Sequence, residues 1–398
     1  MKTELALPTG IKSIQVESFG ENAGVLEQPA QYQFQYQQDN PVSLTMAVRD
    51  SAYQHGCLHP IFAQNLPEGF IRHYLYERLQ RHANVNDLYL LALQGNKGIG
   101  HLAYRSDMPA PEHEQLSLDD IIHWQGKETI FPQLLEKFYL NGQLSGMQPK
   151  VLVDIAGRGV IHQQAYIVKT FDAEFEHLAA NEFICMTAAK ELGLNPPEFW
   201  LSDDLSCFVI ERFDQKDGKK LAFEDLTVLM GKQGDHKYQS SYESVLKAVA
   251  YFTKSQQQIE LAYKYIVFSC LIGNGDAHLK NFAIQYGQDR TNIELTPPYD
   301  ITHTLMYPTL DGKMALKMAN AKSFPDYKTL LQLGMKAKIS KAAQIVEEMA
   351  DGIQQYISSQ MPTDLVPGLQ ESLYKSLAKG RVYTQHKSYR YDKKRKFN

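Results

Sequence analysis

From Lys12 to about Asp50, apolar and polar residues alternate in short runs (SIQVESF, YQFQY, VSLTMAV) divided by Gly, Asn and Pro. That period of two predicts the strands of a small sheet. After Leu66-Pro67-Glu68-Gly69, the segment FIRHYLYERLQRH places apolar residues three and four apart. Pro67 and Glu68 suit a helix start, so an amphipathic helix is expected there. LYLLAL and GIGHLAY read as two more short strands around the turn Gly95-Asn96-Lys97-Gly98. The polar stretch SDMPAPEHEQLSLDD reads as a linker and sets a first boundary near residue 125.

Beyond it, VLVDIA, QAYIVKTF and CFVIERF are rich in β-branched and aromatic residues, as strands are. AANEFICMTAAKELGL, between the second and third, has helical spacing and stops at Gly193 before Pro196-Pro197. From Phe223 onward the pattern turns mostly helical, in YESVLKAVAYFTKS, QIELAYKYIVFSCLIG and ISKAAQIVEEMADGIQQYI. The expected organisation is an α/β unit over 1–125, a small α+β unit over 126–222 and a helical unit over 223–398, without internal repeats. The basic tail KSYRYDKKRKFN reads as a solvated end.

Composition narrows the class. At about 150 residues per domain, a chain of 398 residues suggests two or three domains. Lys plus Arg number 41 and Asp plus Glu 45, for a formal charge of −4. That balance argues against coating nucleic acid through charge alone. With 43% hydrophobic and 22% charged residues, the composition is that of a soluble globular protein. The longest apolar run, Tyr265 to Gly273, falls far short of the roughly 18 residues that span a bilayer. MKTELALPTGIKS lacks an apolar signal core, so a cytoplasmic location with no membrane partner is expected. Cys57, Cys185, Cys207 and Cys270 form no CxxC pair, which disfavours a disulfide scaffold or a cysteine zinc site. HExxH and GxSxG are also missing, which counts against zinc hydrolysis and an α/β-hydrolase.

Candidate chemistry concentrates in GNGDAHLKNF, residues 273–282, directly behind an apolar run. Asp276 and Asn281 stand five apart, with His278 and Lys280 between them. In phosphotransfer loops an acid at this spacing orients or deprotonates a hydroxyl, and the amide oxygen helps hold Mg²⁺. Nineteen residues past Asn281, Asp300 ends the apparent strand of PPYDI and offers a second hard oxygen. By itself NGDAHLKN is also compatible with a capped polar turn. Upstream, GQLSGMQPK (142–150) can bring backbone N–H groups and Lys150 to an anion, or be a plain hairpin turn. Lys169 closes the apolar run from Ala165, where a nucleotide phosphate would explain an inward lysine and an edge position would not require one. Glu182, early in the next helix, is a candidate partner for it. VIERFD (209–214) opens from apolar to polar, as a strand running into a nucleotide hinge does.

The order of these parts is that of a protein-kinase-like enzyme, and the chain resembles the HipA family of serine/threonine kinase toxins from bacterial toxin–antitoxin systems. SGMQPK, YIVKT, VIERFD, NGDAHLKNF, PPYDI and LPEGFIR carry the resemblance. It implies an α+β, two-lobed kinase-like fold with an N-terminal α/β subdomain and a mostly helical C-terminal lobe. It implies ATP and Mg²⁺, with Asp276 as catalytic base and Asn281 and Asp300 as metal ligands. His278 and Lys280 would lie near the phosphates, Lys169 would reach the inner phosphates, and Tyr299 would stand beside the nucleotide. Ser145, Gly146, Met147, Gln148 and Lys150 would belong to the phosphate loop, and Glu211, Arg212 and Phe213 to the adenine hinge. Family members can silence themselves by phosphorylating a serine in that loop. Here the first candidate position is Gln143, so Ser145 is the autophosphorylation candidate. The implied partners are a HipB-like DNA-binding antitoxin, operator DNA through it, and a protein substrate such as an aminoacyl-tRNA synthetase. Two rivals stand beside this reading. GD-x-H-x-x-N is also similar to the catalytic loop of phosphatidylinositol kinases, and a catalytically silent partner of a DNA-bound repressor would keep the same fold.

Overall fold

The computed structural model describes residues 7–378, apart from 68, 82, 97, 109–116, 127–129, 131–149, 157–162 and 171–174. The alternating N-terminal runs form β1 (Ser13–Ser18), β2 (Glu21–Glu27), β3 (Tyr32–Tyr36) and β4 (Tyr53–His55). Ile14, Val16, Leu26, Phe34 and Tyr36 occupy alternate positions and are buried in one core, as the period of two requires. Three helices follow, α1 (Pro60–Ala63), α2 (Gly69–Leu79) and α3 (Asp87–Gln94), before β5 (Leu102–Arg105) completes an antiparallel sheet of order β4-β3-β2-β1-β5. In α2, the helix expected here, Leu75 and Leu79 are buried while Arg72, His73, Tyr76 and Glu77 are exposed.

Two N-terminal expectations are corrected. LYLLAL is not a strand but the body of α3. The Asn86 side chain accepts the Tyr89 N–H, Gly95 ends the helix, and leucine and alanine favour helix once both ends are capped. VSLTMAV is not a strand either: it turns through the single bridge Ser43–Met46. Its backbone groups are taken by side chains, Met46 O by the Tyr36 hydroxyl (2.6 Å) and Leu44 N–H by Glu224 (2.9 Å), rather than by a neighbouring strand. Within the expected linker, Ser117 and Asp120 form a capping box on a short helix, α4 (Leu118–Ile122).

The three β-rich runs form β6 (Lys150–Ala156), β7 (Gln163–Thr170) and, past α5 (Leu178–Glu191) and the short β8 (Phe199–Leu201), β9 (Cys207–Glu211). They pair antiparallel in the order β6-β7-β9-β8. Both faces of this sheet are covered. Tyr166, Val168, Cys207 and Val209 join the N-terminal core, whereas Ile167, Phe208 and Ile210 join the core that contains α5. A hairpin, β10 (Gln215–Lys216) and β11 (Lys219–Lys220), leads out of β9.

The rest is mostly helical: α6 (Leu226–Leu229), α7 (Tyr242–Thr253), α8 (Gln256–Leu271), α9 (Tyr327–Lys336), α10 (Ala342–Ser359), and residues 369–378. A small sheet of β12 (Ala222–Asp225), β13 (Ala283–Tyr286) and β14 (Glu294–Leu295) accompanies them. The fold is the α+β, two-lobed kinase-like one. Buried Glu224 on β12 ties the N-terminal unit down, accepting from Ser43 Oγ (2.5 Å) and Leu44 N. Gln64 Nε2 also donates to Phe223 O (2.9 Å), and Arg290 Nη2 to Pro41 O (2.7 Å). No helix among the described residues is long and apolar enough to cross a membrane.

Where the units meet, His101 is buried between the rings of Phe19 and Tyr286 (centroids 4.5 and 6.1 Å). Burial, aided by the charges of Arg290 and Lys220, pushes its pKa down to about 3. Below about pH 6.5 the unfolded chain takes up a proton that folded His101 refuses, so stability falls with pH, by roughly 2 kcal/mol from this residue at pH 5. His101→Phe should flatten the decline between pH 7 and 5, read by urea unfolding. An unchanged slope would show that His101 titrates normally.

Candidate active site

Lys169 shares with Ile167 the face of β7 that looks toward α5, because Val168 between them faces the N-terminal core. Its ammonium donates to Glu182 Oε1 from α5 and to Asp300 Oδ1, the two joined on one buried cation. Lys169 is 3% exposed and Glu182 0%. Burial alone would lower the lysine pKa, but the Asp300 and Glu182 carboxylates outweigh it and hold the pKa above the usual lysine value. Three elements distant in sequence are thereby locked at one point.

Asp300 does not end a strand, which corrects the expectation for PPYDI. Pro297 and Pro298 carry no N–H for a ladder, and Asp300 takes a left-handed φ of +61° in irregular backbone. Such a conformation is costly for a non-glycine residue and persists where its surroundings hold it. Next to it, the Tyr299 hydroxyl donates to Lys280 O (2.6 Å), so the metal-ligand candidates Asp300 and Asn281 are joined through their immediate neighbours.

The loop after α8 is shaped by its own polar groups. Gly273 has φ +75°, and a Cβ there would lie 3.0 Å from His303 Nδ1 and 2.6 Å from Ser376 Oγ, so only glycine fits. Thr304 donates through N–H and hydroxyl to Gly273 O (3.1 and 3.2 Å), and its hydroxyl accepts the Gly275 N–H (2.7 Å). Asp276 N–H donates to Asn274 Oδ1 (3.0 Å), and the Tyr238 hydroxyl donates to Asp276 Oδ1 (3.3 Å). Asn281 donates its side-chain amide to Asp276 O (3.0 Å), which leaves the amide oxygen as the group suited to a cation. With the Asp300 carboxylate this makes a pair of hard oxygens, a donor set that fits Mg²⁺. His278 is buried edge-on against Tyr238 (5.1 Å), and the charge of Lys280 acts on Asp225.

In the segment expected to form the hinge, Phe213 stacks on Tyr299 (5.2 Å, 24°) and meets Phe223 at 6.0 Å, an aromatic cluster adjoining Asp300 through Tyr299. Glu211 pairs with Tyr166 in the ladder, and its N–H donates to Glu198 O (2.8 Å). The Arg212 guanidinium is buried and grips Asp214 and Gly98 O, which leaves its backbone as the part a hinge would offer to adenine. Lys150 begins β6 directly opposite Lys169. Ser145, Gly146, Met147 and Gln148 lie outside the described residues.

Asn181, which the sequence reading passed over, is buried one residue before Glu182. Its side chain donates to His303 O (2.9 Å) and accepts the His303 N–H (2.8 Å), so it pairs with the backbone just past Asp300 as a strand would. The Glu182 helix and the Asp300 segment are thus joined independently of Lys169. Asn181→Ala should cost about 1–3 kcal/mol by stranding two buried backbone groups. The same variant should lower phosphotransfer; unfolding and activity at wild-type values would sink this role.

A family model described as the HipA-like C-terminal domain matches residues 142–357, and one described as the HipA N-terminal domain matches 14–105. The chain belongs to the HipA family. Among HipA relatives, "Putative kinase Y4dM" of Sinorhizobium fredii is 28% identical over 305 residues, 71% of each chain. The serine/threonine-protein kinase toxin HipA of Shewanella oneidensis is 24% identical over 280 residues, 63% of this chain and 64% of that one. Among solved structures, a Shewanella oneidensis HipA chain in complex with HipB and operator DNA is similar at a TM-score of 0.67 and 19% identity. It covers 94% of this chain and 97% of that one, so the HipA fold extends over almost the whole chain.

Proposed function

We propose that this HipA-family protein is an ATP-dependent serine/threonine protein kinase and the toxin of a HipA-type toxin–antitoxin pair. The observation that carries the reading is Lys169 holding Glu182 and Asp300 together. A kinase needs its strand lysine paired to a helix glutamate and its metal aspartate at the same point. Mg²⁺, held by Asn281 and Asp300 when bound, would neutralise charge on the phosphates. Asp276 accepts the proton of a serine or threonine hydroxyl as that oxygen bonds to the γ-phosphorus and the bond to the ADP oxygen breaks. Phe213 and Tyr299 offer the adenine an aromatic wall, and Lys169 meets the inner phosphates. His278 and Lys280 flank the transferred group; Ser145, Gly146, Met147, Gln148 and Lys150 are assigned to the phosphate loop by resemblance to the family, with Ser145 as the candidate for self-phosphorylation.

The similar Shewanella complex supports a HipB-like DNA-binding antitoxin as partner, with operator DNA reached through it. The substrate is a cytoplasmic protein, with an aminoacyl-tRNA synthetase as the first to try. Purified protein should transfer labelled phosphate from Mg-ATP to bacterial proteins and not to phosphoinositide vesicles. Phosphopeptides dependent on Asp276 would name the substrate. Transfer to lipid alone would favour a lipid kinase, and no transfer with intact ATP binding would favour a silent binding partner.

A further inference from the structure

Arg212 and Asp214 flank Phe213, and both side chains leave the nucleotide side of the hinge for the N-terminal unit. The Arg212 guanidinium meets the Asp214 carboxylate through Nε (2.7 Å) and Nη2, a fork-to-fork pairing, and Nη2 also donates to Gly98 O (2.8 Å). Asp214 Oδ2 accepts the Gly100 N–H (2.6 Å), and two residues into β11 the Lys220 ammonium donates to Asn96 O (2.5 Å). Leu221 N–H closes the hairpin on Asp214 O (2.8 Å). Arg212 is 6% exposed and Asp214 0%, so this ion pair is desolvated and both members must keep their partners.

The docking surface is equally constrained. Gly100 sits at φ +83°, where a Cβ would meet Phe223 N at 3.1 Å and Phe223 Cβ at 3.3 Å. A side chain there would push on Phe223, which packs against both Phe213 and Tyr299. The backbone at Asn96, Gly98 and Gly100 thus touches the hinge on both flanks of Phe213 and the aromatic cluster behind it. Aromatic rings position a flat ligand only while their own rotamers are fixed by neighbours.

We infer that Arg212 and Asp214 are positioning residues that hold Phe213 in the nucleotide pocket, and that the N-terminal unit, through Asn96, Gly98 and Gly100, is a working part of that pocket. The inference rests on the kinase reading for the identity of the nucleotide. It makes the N-terminal unit more than a cover. Whatever shifts its Gly98–Gly100 end also shifts nucleotide affinity.

The test uses the full chain and compares Asp214→Asn and Arg212→Lys with Arg290→Ala, which loosens the same interface at Pro41, away from the hinge. Asp214→Asn keeps an acceptor for Gly100 but loses the charge pairing. Titration with a non-hydrolysable ATP analogue and steady-state kinetics are read together. The KM for ATP and the analogue Kd should rise about tenfold in Asp214→Asn, with kcat at saturating ATP changed far less, since misplacing a binding surface by a fraction of an ångström weakens positioning first. Arg290→Ala should lower thermal stability and leave the KM for ATP alone. Should Asp214→Asn fail to fold, Arg212→Lys, which keeps the charge and loses the fork, carries the same expectation. Hinge variants that bind the analogue as tightly as wild type, or Arg290→Ala raising the KM equally, overturn the positioning role while the kinase reading stands. Wild type that binds no ATP overturns both.

Discussion

Asp276→Asn is expected to bind ATP like wild type and to transfer phosphate about 10²–10⁴-fold more slowly. The substitution keeps shape and every backbone bond of the loop. The residue 276 N–H still meets Asn274 Oδ1, the residue 276 carbonyl still receives Asn281, and an amide oxygen can still accept the Tyr238 hydroxyl. What it removes is the capacity to take a proton. Asp276 is the only acid in the loop between Gly273 and Phe282, so no neighbour in the segment can replace it. Growth arrest on overexpression should vanish with the same substitution at equal protein level. Turnover at the wild-type rate would move the base elsewhere, and arrest that persists would point to binding rather than catalysis.

Lys169→Met is expected to abolish transfer and to destabilise the fold by about 3–5 kcal/mol, because two carboxylates would remain in a buried site without their cation. Glu182 is fully buried and Asp300 only 17% exposed at its side chain, so water can relieve little of that charge. In wild type the lysine pKa lies above its usual 10.5, so its contribution to stability is complete below that pH and lost only as pH rises through the raised value. A second substitution separates the two effects. Glu182→Gln added to Lys169→Met should return part of the stability, since one buried charge is gone, and none of the activity. Denaturant unfolding beside a phosphotransfer assay reads both. If Lys169→Met unfolds at the wild-type midpoint, the triad is not what holds the lobes together at this point.

Much of the architecture is legible along the chain. Strands β6, β7 and β9 announce themselves by β-branched and aromatic runs, and α5, α7, α8 and α10 by apolar spacing. LYLLAL misleads for a physical reason: a six-residue apolar run has no readable period, and only the caps at Asn86 and Gly95 make it helical. VSLTMAV misleads differently, since its alternation is genuine but its hydrogen bonds go to Tyr36 and Glu224.

The same division runs through the site. Residue types and their order can be read along the chain: a strand lysine, a helix acid, an aromatic strand exit, an Asp-x₄-Asn loop and a later aspartate. Those choices are local, because a buried lysine or an acid behind two glycines is conspicuous against its own neighbours. Which of them share one point is set by long-range packing. Lys169 and Asp300 are 131 residues apart, Asn181 and His303 122, and Arg212 and Gly98 114. Nothing in the local pattern at Asn181 marks it, since it is an ordinary polar side chain until burial removes water and leaves the distant backbone of His303 to satisfy it.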